Sequence, residues 1–149
     1  MERDALSGHA KPILTMLEKC LDEKNFIEAY RWNFRFRIRV RQDVACTPDK
    51  STGAAANQIT IMQMQNPEKF MELPQLSEEE SKKMYLEEIV WVETLLQEDK
   101  LPSPEWIAEY GMGKFIAAFG GEGAKYIPKE FWKKKRQQAL NNIRKQLAK

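Results

Sequence analysis

The sequence predicts a mostly helical α+β fold of about four helices with a small two-stranded β element. Apolar residues recur at helical spacing in four segments, whereas two short segments alternate at period two, as strands do. With 149 residues, 42% of them apolar and 31% charged, the chain has the size and composition of one globular domain. We therefore predict a single domain over 1–149 with a mobile N-terminal tail over about 1–10.

Segment 12–30 predicts the first helix. Its apolar residues recur every three to four positions between acids and lysines, and Pro12 suits a first turn. Near Trp32 the spacing changes to period two, which indicates that the helix ends there.

Arginines and apolar residues alternate without interruption over 35–41, a pattern typical of a strand with one apolar and one cationic face. The cationic face would carry four guanidinium groups, those of Arg35, Arg37, Arg39 and Arg41. Same-face side chains on a strand repeat at about 6.6 Å, which is comparable with the phosphate step of a stretched single nucleic-acid strand, a step of about 3.4 Å per base pair in duplex and longer on stretching. A helical interpretation of 31–45 places apolar residues on opposite sides and leaves no single buried stripe, so the sequence favours the strand.

A dense cluster of turn residues at 47–53 predicts a loop. After it, 58–64 alternates well enough for a second strand, antiparallel to the arginine strand. The alternative is a short helix over 54–65, which three alanines favour. Asn66 and Pro67 interrupt either element.

Two further helices are predicted from their capping residues. Ser77 precedes three acids, with Glu80 at the capping-box position, and opens a helix that runs to about residue 98. Ser103 and Pro104 open the next helix, which a glycine cluster at 120–123 ends.

The last predicted helix runs from about 128 to 147 and is strongly basic. Its apolar stripe would dock on the body of the protein or on a second copy, which would give a homodimer. Aromatic rings adjoin its first cations, as on many nucleic-acid-binding surfaces. The candidate nucleic-acid-binding residues of this helix are Lys133, Lys134, Arg136 and Arg144.

Charge is divided unevenly along the chain, although the net charge is only +2. Basic and acidic residues number 10 and 8 over 1–67, 4 and 12 over 68–110, and 10 and 2 over 111–149. Such a division favours nucleic acid as a partner, or an electrostatic match within the chain. No histidine lies at helical spacing from the acids of the middle segment, and no catalytic or cofactor-binding motif is present. The sequence therefore predicts a non-enzymatic protein with no metal or cofactor.

Cys20 and Cys46 lack the paired spacing of a zinc site and are too few for a disulfide scaffold. We interpret them as reduced thiols, which predicts an intracellular, cytoplasmic location. The sequence shows neither a secretory signal nor an apolar run of about eighteen residues, so no membrane span is predicted.

Taken together, the patterns predict a regulatory protein that binds nucleic acid through the arginine strand and the basic last helix. The contacts would be mainly to phosphates, so affinity should fall steeply with salt, and DNA is not distinguished from RNA. The alternative is an adaptor or inhibitor that binds another protein through its charged surfaces.

One stretch resembles a known family. Residues 115–121 end in paired glycines and are followed, after four intervening residues, by Tyr126, Ile127 and Pro128. This arrangement is similar to a segment of the Mor family of phage middle-operon transcription activators, and the similarity covers about 112–145. The resemblance implies a linking ribbon at the Tyr-Ile-Pro segment and a following helix that enters a DNA-binding part. The helix-turn-helix of that family has no counterpart in this sequence.

Overall fold

A computed structural model describes residues 2–47, 73–106 and 126–149. Within these ranges the chain forms five α-helices and no β-strand. The helices are α1 (Glu2–Leu6), α2 (Ala10–Asp22), α3 (Phe26–Val44), α4 (Glu78–Gln97) and α5 (Trp132–Leu147). Short 3-10 turns lie at 104–106 and Lys129–Phe131. The predicted loop at 48–53, the strand or helix over 54–65, the break at 66–67 and the helix beyond 106 lie outside the described residues.

Helix α3 is the centre of the fold because it is buried on two sides. One side packs on α1 and α2 through Trp32 and Phe36. The other side packs on α4 and α5, where Ile38 joins a cluster that contains Ile89 and Leu140. The two apolar clusters therefore share α3 as their common wall.

The predicted arginine strand is wrong, since residues 31–41 are helical, and the α+β class is wrong with it for the part of the chain that is described. A helix that is buried on opposite sides carries apolar residues on both of them, and this imitates alternation at period two. Arg39, moreover, is fully buried. The polar side chain of Arg39 therefore does not indicate a side of α3 that faces solvent. As a result, the hydropathy pattern of α3 lacks the single apolar stripe expected of a helix.

The continuous helix predicted over 12–30 is divided into α2 and α3 by Lys24, which has a left-handed backbone with φ of 58°. The Lys24 N–H donates to Leu21 O at 3.1 Å and the Asn25 N–H donates to Cys20 O at 2.8 Å, the hydrogen bonds of a Schellman motif. Glycine is the usual residue at this position. A lysine there gives no sequence signal, so the turn was not predictable from composition.

The start of α4 is confirmed as the sequence predicts it. Ser77 is the N-cap, and its side chain accepts a hydrogen bond from the Glu80 N–H at 3.1 Å. Three acids follow in the first turn, where they interact favourably with the positive end of the helix dipole. The last predicted helix is also found, as α5 with the short 3-10 turn before it.

The N-terminal segment, predicted as a tail over about 1–10, contributes to the interior. Ala5 is fully buried against the α2–α3 cluster. Gly8 has φ of +88°, its carbonyl accepts from Arg39 Nε at 2.9 Å, and a Cβ there would lie 2.7 Å from Leu101 Cδ2. The positive φ therefore favours glycine, and any larger residue would also have to displace the Leu101 side chain.

Candidate anion-binding surface

The four arginines that the sequence places on one face lie in two environments. Arg35 is largely covered and Arg39 is fully buried, whereas Arg37 and Arg41 are exposed. Positions four apart share a side of a helix, and positions two apart do not. Helix α3 therefore divides the predicted set into a covered pair and an exposed pair.

Arg35 is held between α3 and α4 by a carboxylate and two indole rings. Its Nε donates to Oε2 of Glu88, a side chain that is only 2% exposed. The guanidinium carbon lies 4.4 Å from the ring centroids of both Trp32 and Trp91, which is within cation–π range. This arginine is neutralised and enclosed, so it offers no free charge to an external phosphate.

Arg39 is fully buried, and its donors are satisfied by neighbouring groups. Nε donates to Gly8 O, Nη1 donates to Gln42 Oε1 at 2.8 Å, and Nη2 donates to Asp43 Oδ2 at 2.8 Å. Burial lowers the pKa of the Arg39 guanidinium, and the charge of Asp43 opposes that shift. Because the ordinary pKa of arginine is so high, the group stays protonated at neutral pH.

Arg136 of α5 joins the same carboxylate from the opposite side. Its Nε and Nη2 lie 2.9 and 2.8 Å from Asp43 Oδ1, and Trp106 Nε1 donates to Asp43 Oδ2 at 2.6 Å. We call Arg39, Asp43 and Arg136 the buried charge cluster. With two guanidinium groups around one carboxylate, the cluster carries one positive charge in excess.

Two further candidates on α5 are paired with acids, one of them on α4 and the other just after its end. Lys133 Nζ lies 3.1 Å from Asp99 Oδ1, and Arg144 Nη2 donates to Glu93 Oε1 at 3.0 Å. The hydrogen bond from Arg144 holds the pKa of Glu93 below its usual range and raises the pKa of Arg144. The electrostatic match between the acidic and basic segments is thus made partly within the chain.

On α3 and α5, five exposed cations have no ion pair with another described residue. We call them the basic face: Arg37, Arg41, Lys134, Lys135 and Lys145. Arg41 Nη1 donates to Gln146 Oε1 at 2.8 Å, which links Arg41 of α3 to the last turn of α5. Helix α5 itself contains six basic residues and no acid.

The sequence identifies three members of this face, Arg37, Arg41 and Lys134, and misses Lys135 and Lys145. Lys134 and Lys145 lie eleven positions apart, which is about three helical turns, so they share a side of α5. That spacing is visible in the sequence and would have found Lys145. The exposure of Lys135 depends on how α5 packs, which periodicity alone does not fix.

Both cysteine thiols are buried, and burial raises their pKa values, that of Cys46 to about 11. A protonated, enclosed thiol is a poor nucleophile.

We expect the native protein at pH 8 to react with an aromatic disulfide reagent at least about a hundredfold more slowly than the urea-unfolded chain. Absorbance of the released thiolate measures both rates, and equal rates would contradict this prediction.

No group of three or more His, Cys, Asp or Glu side chains is placed to hold a metal ion within the described ranges. None of the helices described in the structure has the length and apolarity needed to cross a membrane.

Comparisons with protein-family models, with curated proteins and with solved structures gave no match to this chain. Of the segment that resembles the Mor family, 112–125 lies outside the described residues. The remainder begins with Tyr126 and Ile127, whose N–H donates to Cys46 O at 3.0 Å, and continues into α5. The resemblance therefore stays a prediction.

Proposed function

We propose that the chain is a non-enzymatic regulatory protein that binds nucleic acid by contacting phosphates through the basic face. The observation that carries this proposal is that five exposed cations of α3 and α5 have no carboxylate partner among the described residues, although Glu93 of α4 and Asp99 just after it pair with their neighbours on α5. The Mor resemblance adds a phage or mobile-element regulator as the class.

The arrangement of charge on α5 supports this proposal. The flank that faces α4 is neutralised at Lys133 and Arg144, whereas the outer side keeps Lys134 and Lys145 unpaired among the described residues. These two lysines are separated by about 16 Å along the helix axis, which is close to the length of five base-pair steps of duplex. Exposed amides lie between them, at Gln138 and Asn142, and such groups also donate to phosphates.

The contact residues of the proposal differ from those predicted with the strand. Arg35, Arg39 and Arg136 are engaged by buried carboxylates, and they hold the helices together rather than face a ligand. Flexible lysines on a convex helix bind phosphates as point charges and read no base edges. Binding should therefore depend strongly on salt and weakly on nucleotide sequence.

Fluorescence polarisation with labelled single- and double-stranded oligonucleotides tests the proposal. The variant Arg37→Gln/Lys134→Gln/Lys145→Gln should weaken binding by at least about tenfold and reduce the salt slope by about 2 to 3 units. Arg41 is left in place because it is hydrogen-bonded to Gln146.

A matched control removes the same charge elsewhere. Lys19, Lys83 and Lys100 are exposed on other parts of the surface, so replacing all three by glutamine should leave affinity within about twofold of wild type. If both triple variants weaken binding equally, only net charge matters and the proposed face is wrong. If wild type binds no oligonucleotide at about 50 mM salt, nucleic-acid binding is excluded.

The alternative function, an adaptor or inhibitor that binds another protein, has one observation in its favour. Leu86 and Val90 lie one turn apart on α4 and are 41% and 56% exposed. Beside this helix, a groove is lined by Ile27 and Met84 together with charged residues of α3 and α4. An apolar pair with charged surroundings is a common composition of protein-binding surfaces.

A further inference from the structure

A cleft of about 340 Å³ opens where the end of α4 approaches the start of α5. Its principal lining residues are Leu96, Leu101 and Trp132, which are apolar or aromatic, and Lys129, Lys133 and Arg136, which are cationic. The volume is within the range of small-molecule sites, about 300 to 1,000 Å³. None of the five cations of the basic face lines this cleft, so the two features are separate.

The charge around the cleft favours an anion. Three cations and one carboxylate, that of Asp99, line it. Behind the wall, Arg136 belongs to the buried charge cluster, in which Asp43 is shared with Arg39. Asp43 is therefore shared between two guanidinium groups, and an anion in the cleft would offset part of the positive charge that remains in excess.

Hydrogen-bond donors are available at the same place. The Ser103 hydroxyl accepts from the Glu105 N–H at 3.2 Å, so its own proton is free to be donated. Arg136 is 5% exposed, and its guanidinium is engaged by Asp43, the Pro102 carbonyl and the Cys46 thiol, so it contributes positive charge to the wall of the cleft. Lys129 is exposed and adds an ammonium group.

Asp99 is the one group in the lining that opposes an anion. Its carboxylate is 77% exposed and lies 3.1 Å from Lys133 Nζ, where it partly neutralises the cleft. Its backbone has φ of 56° and follows the end of α4. Asparagine also adopts this left-handed conformation readily. Asp99→Asn therefore removes the charge and keeps both the shape and the helix end.

We infer that this cleft binds a small phosphate monoester that carries a flat apolar group. A phosphate offers several acceptor oxygens to donors of the kind that Lys129, Lys133 and Ser103 provide, and Arg136 adds positive charge behind them. The apolar walls formed by Leu101 and Trp132 suit the flat group. This site lies beyond the proposed nucleic-acid function and does not depend on it.

Calorimetric titration with phenyl phosphate tests the inference, at low salt and at about pH 8, where the phosphate is a dianion. We expect Asp99→Asn to tighten binding by about threefold or more, and Lys129→Gln and Lys133→Gln each to weaken it by about threefold to fivefold. Inorganic phosphate should bind more weakly than phenyl phosphate, because it does not reach the apolar walls. The indole N–H resonance of Trp132, identified by its absence in Trp132→Phe, should shift on titration.

The basic-face triple variant serves as the control and should bind phenyl phosphate as wild type does. Failure of oligonucleotide binding would thus leave this inference standing, and failure here would leave the proposed function standing. The inference is overturned if wild type shows no binding, or if Asp99→Asn binds no more tightly than wild type. It is also overturned if the basic-face variant loses phenyl phosphate affinity as strongly as the cleft variants do.

Discussion

Substitution of Asp43 by asparagine is expected to destabilise the fold by about 3 to 5 kcal/mol, because it removes the only carboxylate of the buried charge cluster. Asp43 is fully buried and accepts from Arg39, Arg136 and the Trp106 indole. Asparagine has nearly the same shape but no charge. Two guanidinium groups would then face each other with no compensating anion, and the cost of removing them from water would no longer be offset.

Urea unfolding followed by circular dichroism measures this loss as a lower midpoint at an unchanged slope. Asp99→Asn is the matched control, since the chemical change is the same and its carboxylate is 77% exposed, where an ion pair contributes little. We expect the control to stay within about 0.5 kcal/mol of wild type. An Asp43 variant that is as stable as the control would show that the cluster does not hold α3 and α5 together.

The parts of the fold that could be predicted from sequence are those with local causes. The N-cap Ser77, with acids in the following turn, determines where α4 begins. Its hydrogen bond joins two residues that are only three positions apart. Helix α5 shows one apolar stripe, at Leu140, Ile143 and Leu147, because it is buried on one side only. Both predictions needed no knowledge of distant residues.

Helix α3 could not be predicted in the same way, because its pattern is set by partners far away in sequence. Arg35 is covered because Glu88, fifty-three positions along the chain, lies against it. Arg39 is buried where the Gly8 carbonyl, thirty-one positions earlier in the chain, accepts from its Nε, and Asp43, one turn along α3, accepts from its Nη2. A buried arginine is polar in the sequence, so periodicity alone predicts a solvent-facing side where α3 in fact faces the interior.

Only part of the candidate site could be predicted, because ion pairs between residues distant in sequence leave no local pattern. Arg37, Arg41 and Lys134 are exposed as the sequence suggested, whereas Arg136 and Arg144 are engaged by carboxylates. Net charge along the chain showed that an acidic and a basic segment exist. It could not show which cations the acids of α4 neutralise, since that depends on how α4 and α5 pack.

Substitution of Glu88 by glutamine is expected to destabilise the fold by about 2 to 3 kcal/mol, less than the loss at Asp43. Glu88 is 2% exposed, and the change leaves the Arg35 guanidinium enclosed without its carboxylate. The cost is smaller because the faces of Trp32 and Trp91 still stabilise the cation. Glu87→Gln is the neighbouring control. The Glu87 side chain is 47% exposed and makes a long ion pair, 3.8 Å from Arg31 Nη1, so we expect the free energy of unfolding to change by less than about 0.5 kcal/mol.

A double-mutant cycle with Arg35→Met separates the ion pair from the packing around it. If the carboxylate mainly compensates a buried charge, Arg35→Met/Glu88→Gln should be less destabilised than the sum of the single variants, by about 1 to 3 kcal/mol. Thermal or urea unfolding of the four proteins gives the coupling energy. Additive effects would mean that Arg35 and Glu88 act independently. Pairing with Glu88 would then not explain how the protein stabilises a covered arginine. Because Arg35 faces the protein and not a ligand, Arg35→Met should leave oligonucleotide affinity unchanged under conditions in which the variant is folded.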